Sequence, residues 1–227
     1  RAEQAGIALA TLMDAAGRAV AAALAGRFGS RLGGGVLVAA GPGNNGGDGW
    51  VVARALHRLD VPVFVAPAPG ESSPLNRRMA DLARAEGVRS LDPDGPWPQA
   101  QVAVDALLGT GARGVLRAPI RSLVERLNDL SVPILAVDGP TGIDLATGTG
   151  HGVSVRAELT VTFGGYRRGH LLARDECGDV VVVDIGHPPP DGGWPVLLTE
   201  PDAAYFWATY SGAELDLLLF KRGRRYG

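Results

Sequence analysis

The chain has 227 residues with 22 basic and 24 acidic side chains, and this near balance leaves no electrostatic footprint for nucleic acid or an anionic membrane. Its length suits one large domain or two small ones with a substantial core, and its 33 glycines are about twice the usual share. A lone Cys177 excludes an internal disulfide and fits a reducing, cytoplasmic compartment. No apolar run is expected to span a bilayer, and the start Arg1-Ala-Glu-Gln carries neither a signal-peptide apolar segment nor an initiator Met, so a trimmed amino end is expected.

In chain order, Leu9, Leu12, Met13, Ala16, Val20, Ala23 and Leu24 recur at helical steps, which predicts a covering helix ended by Gly26. The apolar run from Val36 breaks into Gly41-Pro-Gly-Asn-Asn-Gly-Gly-Asp-Gly49, and Val51, Val52, Ala55, Leu56 and Leu59 then repeat the helical period. This reads as strand, glycine cradle and helix, with the glycines free to take positive φ and the helix starting near Asp48. Val61 to Ala66 is a short strand, and Ser73-Pro74 caps a helix carrying Leu75, Met79 and Leu82 that Gly87 closes. After a Pro/Gly-rich connection over Pro93 to Pro98, Val102 to Leu108 is a strand ending in Gly109-Thr-Gly111. A helix entered through Pro119 follows, then a strand from Val132 to Asp138 that stops at Gly139-Pro-Thr-Gly142. Leu159 to Phe163 and Val180 to Ile185 read as strands joined by a Gly/Arg-rich loop, pairing at an edge or continuing the sheet. Signals weaken from Asp191, and the end combines an apolar run from Leu215 with the basic tip Lys221 to Gly227. The alternation predicts an α/β fold with a mainly parallel sheet covered on both faces.

In such sheets ligands lie beyond the carboxyl ends of the strands. Three strands end there in polar, Gly-rich loops, which places Asn44, Asn45, Asp48, Asp105, Thr110, Asp138 and Thr141 near one crevice. Gly41, Gly43 and Gly46 match G-x-G-x-x-G, but the acidic residue of a dinucleotide site is missing at the end of the second strand, and no Gly-Lys-Ser/Thr follows. Carboxylates at strand ends suit acid/base work or cation binding. A single one more often caps a helix, but Asp105 and Asp138 together each face Gly instead. His57, His151, His170 and His187 are scattered, which argues against zinc and assigns each to the surface or a loop, and Cys177 has no base beside it. No Ser/His/Asp ordering calls for a nucleophilic triad.

The loops Gly41 to Gly49, Val104-Asp-Ala-Leu-Leu-Gly-Thr-Gly111, Val137-Asp-Gly-Pro-Thr-Gly-Ile-Asp144 and Thr160-Val-Thr-Phe163 together resemble the NAD(P)H-hydrate epimerase family, the YjeF amino-terminal domain. Met13 to Val20 and Val181 to Gly186 are similar to it as well. The resemblance implies a three-layer α/β/α Rossmann-like sandwich over residues 1–190, with 191–227 a tail or linker stub. It further implies a homodimer that interconverts the R and S forms of nicotinamide cofactor hydrated at ring carbon six, NADHX and NADPHX. By position, Asn44, Asn45, Gly46, Gly47 and Asp48, with Gly109, Thr110, Gly111, Ala112, Arg113, Gly114 and Val115, would hold the damaged cofactor. Asp138 would sit beside the reacting centre, and Asn45, Asp105 and Thr141 would bind K+. Thr141 stands where the family has Ser, Gly139 where it has Ile or Val, and Arg167 where it has a Lys able to give up its proton. A hydrate dehydratase, in cis or in trans, is the implied partner. Two other classes remain: a non-catalytic ligand-binding or dimerisation scaffold on the same fold, and a conventional nicotinamide oxidoreductase, which the missing acid argues against.

Overall fold

The computed structural model describes residues 6–92 and 94–186, with the backbone of 219–221 and 224–226. It divides into two compact units, Arg1–Pro188 and Pro189–Gly227. In the second, β10 (Leu219–Lys221) and β11 (Arg224–Tyr226) form an antiparallel ladder; the rest of the expected tail over 191–227 lies outside the described residues.

The first unit opens with α1 (Leu9–Phe28), which runs through Gly26 into a 3-10 turn over Gly29–Gly34. Gly26 does not end the helix, because it sits on the exposed side where missing side-chain packing costs little. Then come β1 (Val36–Ala40), α2 (Asn44–His57), β2 (Val63–Pro67), α3 (Pro74–Ala85), β3 (Arg89–Ser90), β4 (Val102–Ala106), α4 (Ala118–Asp129) and β5 (Ile134–Val137). A two-strand ladder of β6 (Ile143–Asp144) and β7 (Thr149–Gly150) precedes β8 (Leu159–Phe163). The connection from β8 to β9 (Asp179–Val183) is not only a loop: it holds the short helices α5 (Arg168–Leu172) and α6 (Arg174–Cys177). Those helices let β9 return parallel to β8 and extend the sheet.

The seven strands run in the order β3-β2-β1-β4-β5-β8-β9, and every neighbouring pair is parallel. Alternation along β1 divides the core. Val36, Val38 and Ala40 pack with the buried faces of α1, α2 and α3, while Leu37 and Ala39 pack with Leu123, Val124 and Leu127 of α4. The expected layers of helix, sheet and helix are therefore present. Chain order reverses between β1 and β4, so the loops after these two strands part and leave a crevice between them.

The stretch Leu9–Gly34 is, by length and composition, apolar enough to cross a membrane, which corrects the expectation that no segment is. Its buried residues Met13, Val20, Ala21, Leu24 and Phe28 belong to the core cluster that also holds Trp50, Val51 and Leu56 of α2, so its apolar stripe packs against that helix. Leu59 and Leu82, predicted on apolar faces, are 66% and 40% exposed, because α2 ends at His57 and Leu82 stands on the outer side of α3.

Candidate active site

The glycine loop after β1 is a packing device. None of Gly41, Gly43, Gly46, Gly47 and Gly49 has positive φ, contrary to expectation. A side chain on Gly41 would overlap the carbonyl oxygen of Leu107, one on Gly46 would overlap the carbonyl of Gly41, and one on Gly49 would come within 2.6 Å of Ala106 Cβ. These glycines press the start of α2 against the ends of β1 and β4. The helix begins at Asn44 rather than near Asp48, with Gly43 in the cap position, so Asn44, Asn45, Gly46 and Gly47 form its first turn and Asp48 faces the crevice from the second. This poor helix-forming sequence is held from outside. Asn76 Nδ2 of α3 donates to the carbonyls of Gly41 and Gly43 at 2.8 and 2.7 Å, and Ser73 Oγ donates to Asn44 Oδ1 at 2.8 Å while capping its own helix.

Asp138 directly follows β5 with φ +67°, the left-handed region that costs a non-glycine residue on the order of 1–3 kcal/mol. Its carboxylate is tied down. Oδ2 accepts the Thr110 N–H at 2.9 Å and Oδ1 accepts the Thr162 hydroxyl at 3.2 Å. Across Gly109, where an added Cβ would lie 3.0 Å from Asn45 Oδ1 and 3.1 Å from Asp138 Oδ2, the glycine leaves room for both side chains. Asp48 lines the same crevice, and burial, reinforced by the charge of Asp138, pushes its carboxyl well above the usual range.

Asp105 and Thr141 lie beneath this floor rather than in it. The Asp105 carboxyl is fully buried; Oδ1 accepts from Leu107 N–H at 3.1 Å and the Thr141 hydroxyl at 2.8 Å, and Oδ2 from Thr141 N–H at 2.7 Å. Burial pushes its pKa up to about 6, against the pull of these hydrogen bonds. Among the described residues, no cationic side chain contributes to its environment. Asn45 Nδ2 is buried with no hydrogen-bond partner among the described residues. A buried carboxylate, a hydroxyl and an amide oxygen form the all-oxygen donor set that hard cations take, and a bound ion would supply the charge Asp105 lacks.

The resulting cavity, about 600 Å³, is lined by Asn44, Asn45, Asp48, Gly109, Thr110, Gly111, Ala112, Asp138, Phe163 and Arg167, among others. Gly46 and Gly47 do not line it; they are buried behind it. Arg113, Gly114 and Val115 line an adjoining cavity of about 320 Å³ that also touches Leu108 and Ala112. Three groups escaped the sequence reading: Asn76, Thr162 and His170. His170 is fully buried, which corrects its assignment to a loop or the surface. Its only sequence signal is the three-residue step from Arg167, because short α5 shows no periodicity. Cys177 is buried, its thiol pushed up to about 12 by burial, which fits a structural position.

The model of the family described as YjeF-related protein N-terminus matches residues 9–169. The protein named NAD(P)H-hydrate epimerase of Pirellula staleyi is 40% identical over 195 residues, covering 78% of this chain and 82% of that protein. The bifunctional NAD(P)H-hydrate repair enzyme Nnr of Archaeoglobus fulgidus is 39% identical over 183 residues, 81% of this chain but 38% of the relative. This chain therefore spans well under half the length of that bifunctional relative. The crystal structure of yeast YNL200c matches with a TM-score of 0.70 at 27% identity, covering 83% of this chain and 88% of that one.

Proposed function

Because the chain belongs to the family of YjeF-related protein N-termini, we propose that it is an isomerase interconverting the R and S forms of hydrated nicotinamide cofactor. The observation that carries this reading is Asp138, presented at the crevice floor in a strained turn with both carboxylate oxygens hydrogen-bonded. Relatives named for the same activity support the substrate class.

The substrate is a carbinolamine: its hydroxyl sits on the carbon bonded to the ring nitrogen. Protonation of that hydroxyl lets the carbon–oxygen bond break with its electron pair leaving as water. The nitrogen lone pair then forms the C=N bond of a cation, and water adding to the other face inverts the centre and gives up a proton. No redox partner or covalent nucleophile is needed. Asp48, whose carboxyl pKa is pushed up by burial, is the donor to the departing oxygen, and Asp138, with both carboxylate oxygens positioned by hydrogen bonds, steadies the cation and takes the proton from the entering water. Proton count is unchanged once the proton returns from Asp138 to Asp48. Arg167 lines the cavity as a permanent cation, suited to a cofactor phosphate rather than to proton transfer.

Asn45, Asp105 and Thr141 would hold K+, whose charge would compensate Asp105 and tie the loop after β4 to that after β5. The greater length of the bifunctional relatives supports an association with a hydrate dehydratase, in the same polypeptide or another. Replacing Asp138→Asn should lower kcat by about 100- to 1000-fold with KM changed far less. Full activity in this variant on a purified epimer would remove Asp138 from the chemistry.

A further inference from the structure

The turn that presents Asp138 needs an external restraint. With φ +67° at Asp138 and the Gly139 N–H donating to the Val137 carbonyl at 2.8 Å, the chain makes the rarer, strained hand of γ-turn. The Asp138 N–H is held by the Val161 carbonyl at 2.8 Å, as a continuation of the sheet. Its carbonyl is met by the imidazole of His170, with Nε2 at 2.7 Å.

The ring's protonation follows from its other nitrogen. Nδ1 accepts the backbone N–H of Arg167 at 2.9 Å, so the proton resides on Nε2 and is donated to Asp138. Burial lowers the pKa of the ring, in keeping with a neutral imidazole. One side chain thus joins the backbone of two cavity-lining residues, Asp138 and Arg167, that come from different strand ends.

We infer that His170 is a positioning residue for the epimerisation: its Nε2–H locks the Asp138 turn, and the Arg167 N–H, by occupying Nδ1, keeps the ring proton on Nε2. This rests on Asp138 being the reacting carboxylate.

Two variants separate its two bonds. In His170→Asn the amide oxygen stands near the Nδ1 position and keeps the Arg167 contact, whereas in His170→Gln the amide NH2 stands near Nε2 and keeps the Asp138 contact. Each loses one hydrogen bond, so a role confined to stability would cost the two alike. The expected result is that His170→Asn loses about 10- to 100-fold in kcat at nearly constant KM, while His170→Gln retains most of it. Hydrogen exchange at the Asp138 and Gly139 amides should quicken by about tenfold or more in the Asn variant only. Equal losses in both variants, or unchanged exchange at those amides in His170→Asn, would overturn the inference. Should the wild-type chain prove unable to interconvert the epimers, the proposed function fails on that result alone, and the exchange comparison still decides whether His170 holds the turn.

Discussion

Two titratable residues pull the stability of the site in opposite directions as pH changes. Asp48 is raised by burial above its ordinary 3.8, so the folded chain binds a proton that the unfolded chain releases, and this contribution to stability is lost as pH rises from about 4 through the folded value. Asp48→Asn should therefore melt higher than wild type at pH 8, by about 2–4 °C for ~1 kcal/mol at this chain length, with the gain fading near pH 4 and epimerisation impaired throughout. A melting series across pH checks this; an unchanged difference at pH 4 and 8 would show that Asp48 is not held protonated. His170 has the other sign. Its pKa is lowered from 6.5, so its contribution is complete above that pH and declines as pH falls through the folded value. Protonation would also set an Nδ1–H against the Arg167 N–H. The position of Asp138 at a strand end was legible in the sequence because an apolar strand ended in a carboxylate followed by Gly-Pro. Its partners were not, since Thr162 and His170 reach it only through sheet register and two short helices.

At the scale of elements, glycines in helices act by excluded volume, and their substitutions should diverge in sign. Gly46→Ala would drive a methyl into the Gly41 carbonyl and should cost about 1–3 kcal/mol or more, with loss of ligand binding at the α2 amino end. Gly26→Ala on the open side of α1 meets nothing within 4 Å and should stabilise by about 0.5–1 kcal/mol. Denaturant melts of the pair test this, and a neutral Gly46→Ala would contradict the packing account. The strands were readable because buried parallel strands are continuous apolar runs bounded by glycine. The start of α2 was misplaced by four residues because Asn-Asn-Gly-Gly has weak helix propensity and is held by tertiary bonds from Ser73 and Asn76. Helices α5 and α6, five and four residues long, are too short for any periodic signal.

For the whole molecule, the reversal of strand order between β1 and β4 is what turns three separate motifs into one crevice. If K+ occupies the Asn45, Asp105 and Thr141 cluster, replacing it with tetramethylammonium should lower the melting temperature, and Asp105→Asn should abolish that dependence. Insensitivity of the wild-type chain to the exchange would remove the ion from the account. The most direct test of the central claim takes a single purified epimer of the hydrated cofactor in 18O-labelled water and follows both configuration and isotope. The account predicts inversion well above the spontaneous rate, with one solvent oxygen incorporated per inversion. No acceleration, or inversion that keeps the original oxygen, would contradict it.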